Sequence, residues 1–252
     1  MAAKPTALLY GLLFLIALGT AEAGETHLAV AANFTAPMKR LAEAFERESG
    51  HKTLLSFGAT GRFHAQIGNG APFDILLAAD AETPAKLERE KLAVPGSRFT
   101  YAIGRLVLWS PRPDFVDARG EVLKTGVFGH LALAAPKLAP YGAAAVATLN
   151  AMDLFDRLQP TFVQGENIAQ THQFVTTGNA ELGFVALSQV YENGQLKSGS
   201  AWIVPEGYYP PIRQEAVLLQ KGRENPAATA FLSFLQTDAA RSVIHAFGYA
   251  PE

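Results

Sequence analysis

Between His27 and Glu90 short apolar runs alternate with amphipathic stretches three times, and this alternation narrows the choice of fold more than any other feature of the chain. The spacing predicts strands over 27–31, 52–56 and 73–78 and helices over 36–49, 61–69 and 82–90. Parallel strands need long crossovers, so a βαβαβα series of this kind forms an α/β fold with a mostly parallel sheet covered by helices on both faces. In the first helix Met38, Leu41 and Phe45 stand at i, i+3 and i+7, which lays one apolar stripe along one face. Gly50 then occupies the position where a helix usually closes with positive φ.

The joints between strand and helix carry the functional signal. In the run from Val30 to Met38 an apolar strand stops at Asn33 and helical spacing begins, so Asn33 is expected to cap the helix by accepting a first-turn N–H. The run 54–61 repeats the move at Gly58, Thr60 and Gly61. The second half restarts the series, with strands expected over 131–134, 161–163 and 182–185 and helices over 142–152 and 169–177. Its corners fall at 135–142, ahead of an Ala-rich helix, and at 164–169. First-turn N–H groups have no intrahelical partner, so four such corners aimed at one point hold an anion without Lys or Arg. In open α/β sheets ligands bind beyond the carboxyl ends of the strands, which is where all four corners fall.

The segment 100–109 reads as one long strand with a central glycine, crossing between two lobes. A strand over 202–204, an irregular return through Tyr208-Tyr209-Pro210-Pro211 and a strand over 214–219 make a second crossing. Helices over 226–235 and 238–247 are expected to pack back on the first half. The expected division is therefore a first lobe of 24–101 plus 206–252 and a second lobe of 102–205, with a cleft between them.

Composition removes several function classes. A positively charged start, an apolar run from Ala7 to Leu18 and the ending Ala21-Glu22-Ala23 form the three regions of a cleaved export signal over 1–23. The apolar run falls short of the about 20 residues that span a bilayer. There is no cysteine, which excludes disulfides and thiol chemistry and suits a bacterial envelope better than an animal secretion. A net charge of −2 provides no basic field for nucleic acid or anionic lipid. The six histidines are scattered without metal-ligand spacing, and neither a G-x-S-x-G elbow nor a phosphate-binding loop is present. Arg62, just after the second corner, reads as a solvated first-turn residue.

At the corners the chain resembles the periplasmic molybdate-binding proteins of bacterial ABC importers, which have the two-lobed type II periplasmic-binding-protein fold. The matching pieces are AANF at 31–34, SFGATG at 56–61, NGAPFDILLAAD at 69–80, PGSRFTYAIGRLVLWS at 95–110, LAPYG at 138–142, GENIAQ at 165–170 and ELGFVALSQ at 181–189. Each is weak alone, but seven in order span nearly the whole exported chain. The resemblance implies oxyanion contacts from the backbone at Ala32, from Asn33 through its amide and from Thr60 through its hydroxyl in the first lobe. In the second lobe it implies the Tyr141 hydroxyl and the backbone N–H of Ile168. Many family members carry Ser at the positions of Asn33 and Thr60, and a common version carries at position 186 a Tyr where this chain has Ala186.

The implied ligand is molybdate or tungstate, with a membrane permease as partner, no cofactor beyond the anion, no enzymatic activity, a periplasmic location and a monomeric state. Both anions are tetrahedral dianions near neutral pH, so a site of donors only is what their chemistry asks for. The alternatives are a receptor for sulfate or phosphate, an envelope hydrolase or transferase on a similar scaffold, and an effector-sensing module. The hydrolase lacks any nucleophile and base that can be named in this sequence.

Overall fold

The computed structural model describes residues 23–251, so the expected export signal lies outside the described residues except for Ala23. In chain order the elements are β1 (Glu25–Ala31), α1 (Thr35–Ser49), β2 (Lys52–Gly58), α2 (Thr60–Gly68), β3 (Ile75–Leu77), α3 (Glu82–Arg89), β4 (Phe99–Gly104) and β5 (Leu106–Ser110). There follow α4 (Val122–Thr125), β6 (Leu131–Ala134), α5 (Pro140–Ala151), α6 (Phe155–Leu158), β7 (Phe162–Gly165), α7 (Ile168–Thr176), β8 (Leu182–Ala186) and α8 (Leu187–Val190). The chain closes with a small hairpin of β9 (Tyr191–Glu192) and β10 (Gln195–Leu196), then β11 (Ser200–Ile203), β12 (Ile212–Leu218), α9 (Pro226–Leu235) and α10 (Asp238–Ala246).

Two five-stranded sheets result, in the orders β2-β1-β3-β12-β4 and β7-β6-β8-β5-β11. They follow one plan. β1 lies parallel between β2 and β3, as β6 does between β7 and β8, and the next strand inward, β12 or β5, runs antiparallel. The carboxyl ends of both parallel trios face the gap between the sheets, which puts the following helix starts there.

Each sheet is buried on both faces, as parallel strands require. Leu28 and Val30 of β1 pack with Met38, Leu41 and Phe45 of α1 and with Phe231 and Ile244 of the terminal helices. Ala29 turns the other way, toward Phe63, Ile67 and Leu87 on α2 and α3. In the second sheet Leu131 and Leu133 face α5 through Ala145 and Leu149, while Ala132 meets Val175 of α7. At the end of α1, Gly50 takes φ of 74° and donates its N–H to the Glu46 carbonyl at 3.1 Å.

The long strand expected over 100–109 is two strands in different sheets. β4 ends at Gly104 and β5 starts at Leu106, so Arg105 carries the chain from one sheet to the other. The return runs through 204–211, where the Tyr209 hydroxyl accepts the Leu106 N–H at 3.0 Å and the Val204 N–H reaches the Leu106 carbonyl at 3.0 Å. The two crossings are thereby hydrogen-bonded to each other. The Tyr208–Pro211 stretch packs at this hinge, with Tyr208 edge-on to Trp202.

Candidate functional site

The five residues expected to contact an anion converge. Ala32, Asn33, Thr60, Tyr141 and Ile168 all line one small cavity between the two sheets, together with Gly58, Ala59, Ala79 and Asn167. About 10 Å³ is open there to the centre of a water-sized sphere, which is room for about one water molecule. No Lys, Arg, His, Asp or Glu is among the lining residues. The lobes are closed over it. Gly61 N–H, from α2, donates to the Leu138 carbonyl ahead of α5 at 3.0 Å, and Arg62 forms an ion pair with Glu166 across the rim. Arg62 is thus an interlobe partner, whereas the sequence alone reads it as merely solvated. A second ion pair, Arg40 with Glu192, joins α1 to the small hairpin.

A far larger groove of about 630 Å³ opens beside this cavity, past Gly61 and Pro140. Its walls are mainly apolar and carry charges of both signs, Asp80 and Glu82 with Lys137 and Arg213. Of the four corners only the starts of α2 and α5 reach it, at Gly61 and Pro140, whereas all four converge on the small neutral cavity, which is therefore the better candidate despite its size.

Each wall has its own local cause. Asn167 is the N-cap of α7, and its side-chain oxygen accepts the N–H groups of Ala169 and Gln170 at 2.9 and 3.0 Å. The cap satisfies the second and third N–H groups of the helix and leaves that of Ile168, the first, beside the cavity. Pro140 begins α5, where its missing N–H costs nothing, and Tyr141 follows it with its ring buried. Thr60 begins α2, and its hydroxyl accepts the Ala79 N–H at 3.0 Å. Having accepted from the protein, that hydroxyl keeps its proton for another acceptor.

Asn33 departs from expectation. It does not cap α1, whose preceding residue is Phe34 with no side-chain cap, but sits in a 3-10 turn over Ala32–Phe34. Its amide nitrogen donates to Gln214 Oε1 at 2.8 Å and to the Tyr249 hydroxyl at 2.9 Å. Both amide hydrogens are therefore directed into the protein, and the expected donation from this amide to an anion is not what the geometry provides. The physical reason is tertiary, because two acceptors from the far end of the chain compete with the helix start for the same side chain. Ser188, on α8 of the second lobe, donates to the Asn33 carbonyl at 2.7 Å and holds the turn from the opposite side.

Sequence reasoning missed Gln214, Tyr249, Ser188 and Tyr101, which tie these walls together. Gln214 Nε2 donates to the Tyr141 hydroxyl at 3.0 Å, and the Tyr249 hydroxyl donates to Ser188 Oγ at 3.1 Å. The one available signal was a lone Gln at the head of the apolar run from Ala216 to Leu219. Ala186, at the end of β8, is fully buried and offers no hydroxyl.

Burial pushes the Tyr101 and Tyr141 hydroxyls well above the usual phenol range and raises that of Tyr249 to about 12. These three groups therefore remain protonated donors at any physiological pH. The sign for stability follows from linkage, since above pH ~10 an unfolded chain releases phenolic protons that the folded one retains. Stability is expected to be level below pH ~10 and to fall from there toward 12 by about 1.4 kcal/mol per pH unit for each tyrosine. Urea unfolding at pH 9, 10 and 11 measures this, and an unchanged midpoint would contradict it.

Residues 26–250 match the family described as bacterial extracellular solute-binding protein. The chain belongs to this family. It is 58% identical to the molybdate-binding protein ModA of Azotobacter vinelandii, over 91% of each chain. It is 49% identical to the molybdate-binding protein ModA of Rhodobacter capsulatus, over 92% of this chain and 90% of the relative. Among solved structures it superposes on the Azotobacter vinelandii periplasmic molybdate-binding protein with a TM-score of 0.88 and 39% identity, covering 90% of this chain and 99% of that one. The two sheets of one plan around a closed cleft are the two-lobed α/β architecture expected for a periplasmic solute-binding protein.

Proposed function

We propose that this solute-binding protein is the periplasmic receptor for molybdate, and for the isosteric tungstate, of an ABC importer. It closes its two lobes on the dianion and hands it to the membrane permease, as an exported monomer that performs no catalysis. The first lobe extends past the expected limit of 101 to Gly104, because all of β4 belongs to the first sheet, and the chain changes lobes at Arg105 and again in the return through 204–211. The observation that carries this reading is a small cavity at four strand-to-helix corners whose lining has no ionisable group except a buried tyrosine. The names of the 58% and 49% identical relatives support the choice of molybdate.

In this reading the first lobe contributes the main-chain N–H groups at Ala32 and Asn33 and the Thr60 hydroxyl. The second contributes the Tyr141 hydroxyl and the Ile168 N–H. A hydrogen bond to a charged group is worth about 1.5–3 kcal/mol, while association costs roughly 4–15 kcal/mol. Three contacts from one lobe, about 4.5–9 kcal/mol, leave little or no surplus over that cost, and the two from the second lobe add about 3–6 kcal/mol. The anion is then the bridge that stabilises closure.

A phosphate that keeps a proton at neutral pH needs an acceptor, and no carboxylate lines the cavity. Sulfate has the same charge and donor demand as molybdate but is smaller, so donors from two lobes spaced for the longer bonds of molybdate reach it less well. Calorimetric titration of the ligand-stripped protein with molybdate, tungstate, sulfate and phosphate tests the reading. Tight one-to-one binding of the first two is expected, level between pH ~6 and ~9 because no lining group titrates there. Preference for sulfate would overturn the ligand, and a steep loss of affinity across that range would overturn the donor-only site.

A further inference from the structure

We infer that Gln214 sets the direction of the hydrogen bonds in the site, as a positioning residue that occupies the acceptor side of the Tyr141 hydroxyl and reserves its one proton for the anion. This rests on the proposed function, in which Tyr141 donates to the bound oxyanion.

Gln214 lies on β12 where its pairing with β4 shifts register, and it is fully buried. Its amide spans the two lobes. One end faces Asn33 Nδ2 at 2.8 Å, a group that only donates, so that end is the oxygen; the Tyr101 hydroxyl at 3.0 Å shares its one proton between this oxygen and the Ala78 carbonyl at 3.0 Å. The nitrogen is left facing the Tyr141 hydroxyl at 3.0 Å. A phenol has one proton, and once it accepts from Gln214 that proton has two acceptors in reach, the neighbouring Tyr249 hydroxyl and the cavity, of which a bound dianion is the stronger. An acceptor at the same place would draw the Tyr141 proton into the protein and turn oxygen lone pairs toward a dianion. Asn33 enforces the order from the other side, because its own amide is held by the Tyr249 hydroxyl at 2.9 Å. Gly104 leaves the space in which the two groups meet, since a Cβ there would stand 2.3 Å from the Tyr141 hydroxyl and 2.5 Å from Gln214 Nε2.

Gln214→Glu isolates this role. The glutamate keeps an acceptor for Asn33 and Tyr101 and changes only the end that faces Tyr141. The titratable groups around it are Tyr101, Tyr141 and Tyr249, with Asp80 near Tyr101 and, on β12 itself, Arg213 and Glu215, the latter paired with Arg98. None of the three tyrosines leaves its neutral form below pH 9. The introduced carboxyl is thus the group whose protonation state changes what Tyr141 meets.

Molybdate titration of the wild type and Gln214→Glu is run at pH 6 and pH 8.5, with ligand-free melting recorded for both. The wild type is expected to bind equally at the two values. Gln214→Glu is expected to bind about 100-fold more weakly at pH 8.5, where the carboxylate accepts the Tyr141 hydrogen bond, and to recover toward pH 6 to the extent that burial raises its pKa, since the protonated acid again donates to Tyr141. Wild-type affinity in the variant at both values overturns the inference. An equal loss at both values is resolved by Gln214→Met: the same loss with Met is the mark of a packing role and overturns the inference, while a clearly smaller loss with Met supports it, because the carboxylate alone draws the Tyr141 hydrogen bond.

If Gln214→Glu does not fold, Gln214→Met is compared alone and combined with Tyr141→Phe. The combined variant is expected to bind within about twofold of Tyr141→Phe, because Gln214 acts through that hydroxyl. Additive losses overturn the inference. A wild type that binds neither molybdate nor tungstate overturns instead the proposed function, and the two failures are distinct.

Discussion

Gly104→Ala is expected to weaken molybdate binding by about 100-fold or more while leaving the protein folded. The added methyl would lie 2.3 Å from the Tyr141 hydroxyl, 3.0 Å from its Cζ and 2.5 Å from Gln214 Nε2. Neither side chain has room to retreat. Tyr141 is buried at the start of α5 in the core of the second sheet, and Gln214 is held by Asn33 and Tyr101. Moving the phenol by an ångström breaks a hydrogen bond to the ligand, because such bonds weaken steeply with distance and angle. The clash with Tyr141 lies between the lobes and is relieved when they part, while that with Gln214 lies within the first sheet and stays, so the ligand-free melting temperature is expected to fall by a few degrees and the affinity by far more. Titration paired with melting measures both halves. Near wild-type affinity in this variant would mean that the Tyr141 hydroxyl does not touch the ligand.

Gly142→Ala should behave differently, because the obstruction is backbone. A Cβ at Gly142 would stand 2.2 Å from the carbonyl oxygen of Ala134 and 2.8 Å from its carbon, at the end of β6. A main-chain carbonyl in a sheet cannot rotate away as a side-chain tip does. The first turn of α5 must lift from the sheet, which costs about 2–4 kcal/mol and lowers the ligand-free melting temperature by roughly 5–15 °C in a chain of this size. Tyr141 moves with that turn, so binding is lost as well. The pair of variants thus separates the site from its scaffold, and a Gly142→Ala protein that melts like the wild type would show that the first turn of α5 lifts from β6 at no cost.

Much of the scaffold was legible along the chain. The stripe of Met38, Leu41 and Phe45 and the closing Gly50 mark α1 to within a residue of its observed limits, because helix periodicity and C-terminal capping are properties of a few consecutive residues. The same holds for the four corners, each of which is a short strand end followed by a helix start. Their convergence on one cavity follows from the α/β alternation, since parallel strands carry all their carboxyl ends to one edge. Ala32, Thr60, Tyr141 and Ile168 reach that edge by this rule.

What the chain order hides is what those side chains meet there. Asn33 looks like a helix cap because a cap is its best local partner, yet Gln214 and Tyr249, 181 and 216 residues away, take its amide instead. The run 100–109 looks like one strand because both halves are apolar, but the turn at Arg105 divides it between two sheets. Arg62 looks solvated until closure brings Glu166 to it. Sequence by itself determined the alternation, the helix limits and the neutral donor character of the site, all of which depend on neighbours within one turn or one strand. Only the tertiary structure decided which hydrogen goes to which acceptor, because a buried polar group must be satisfied by whatever the fold places beside it, at any distance along the chain.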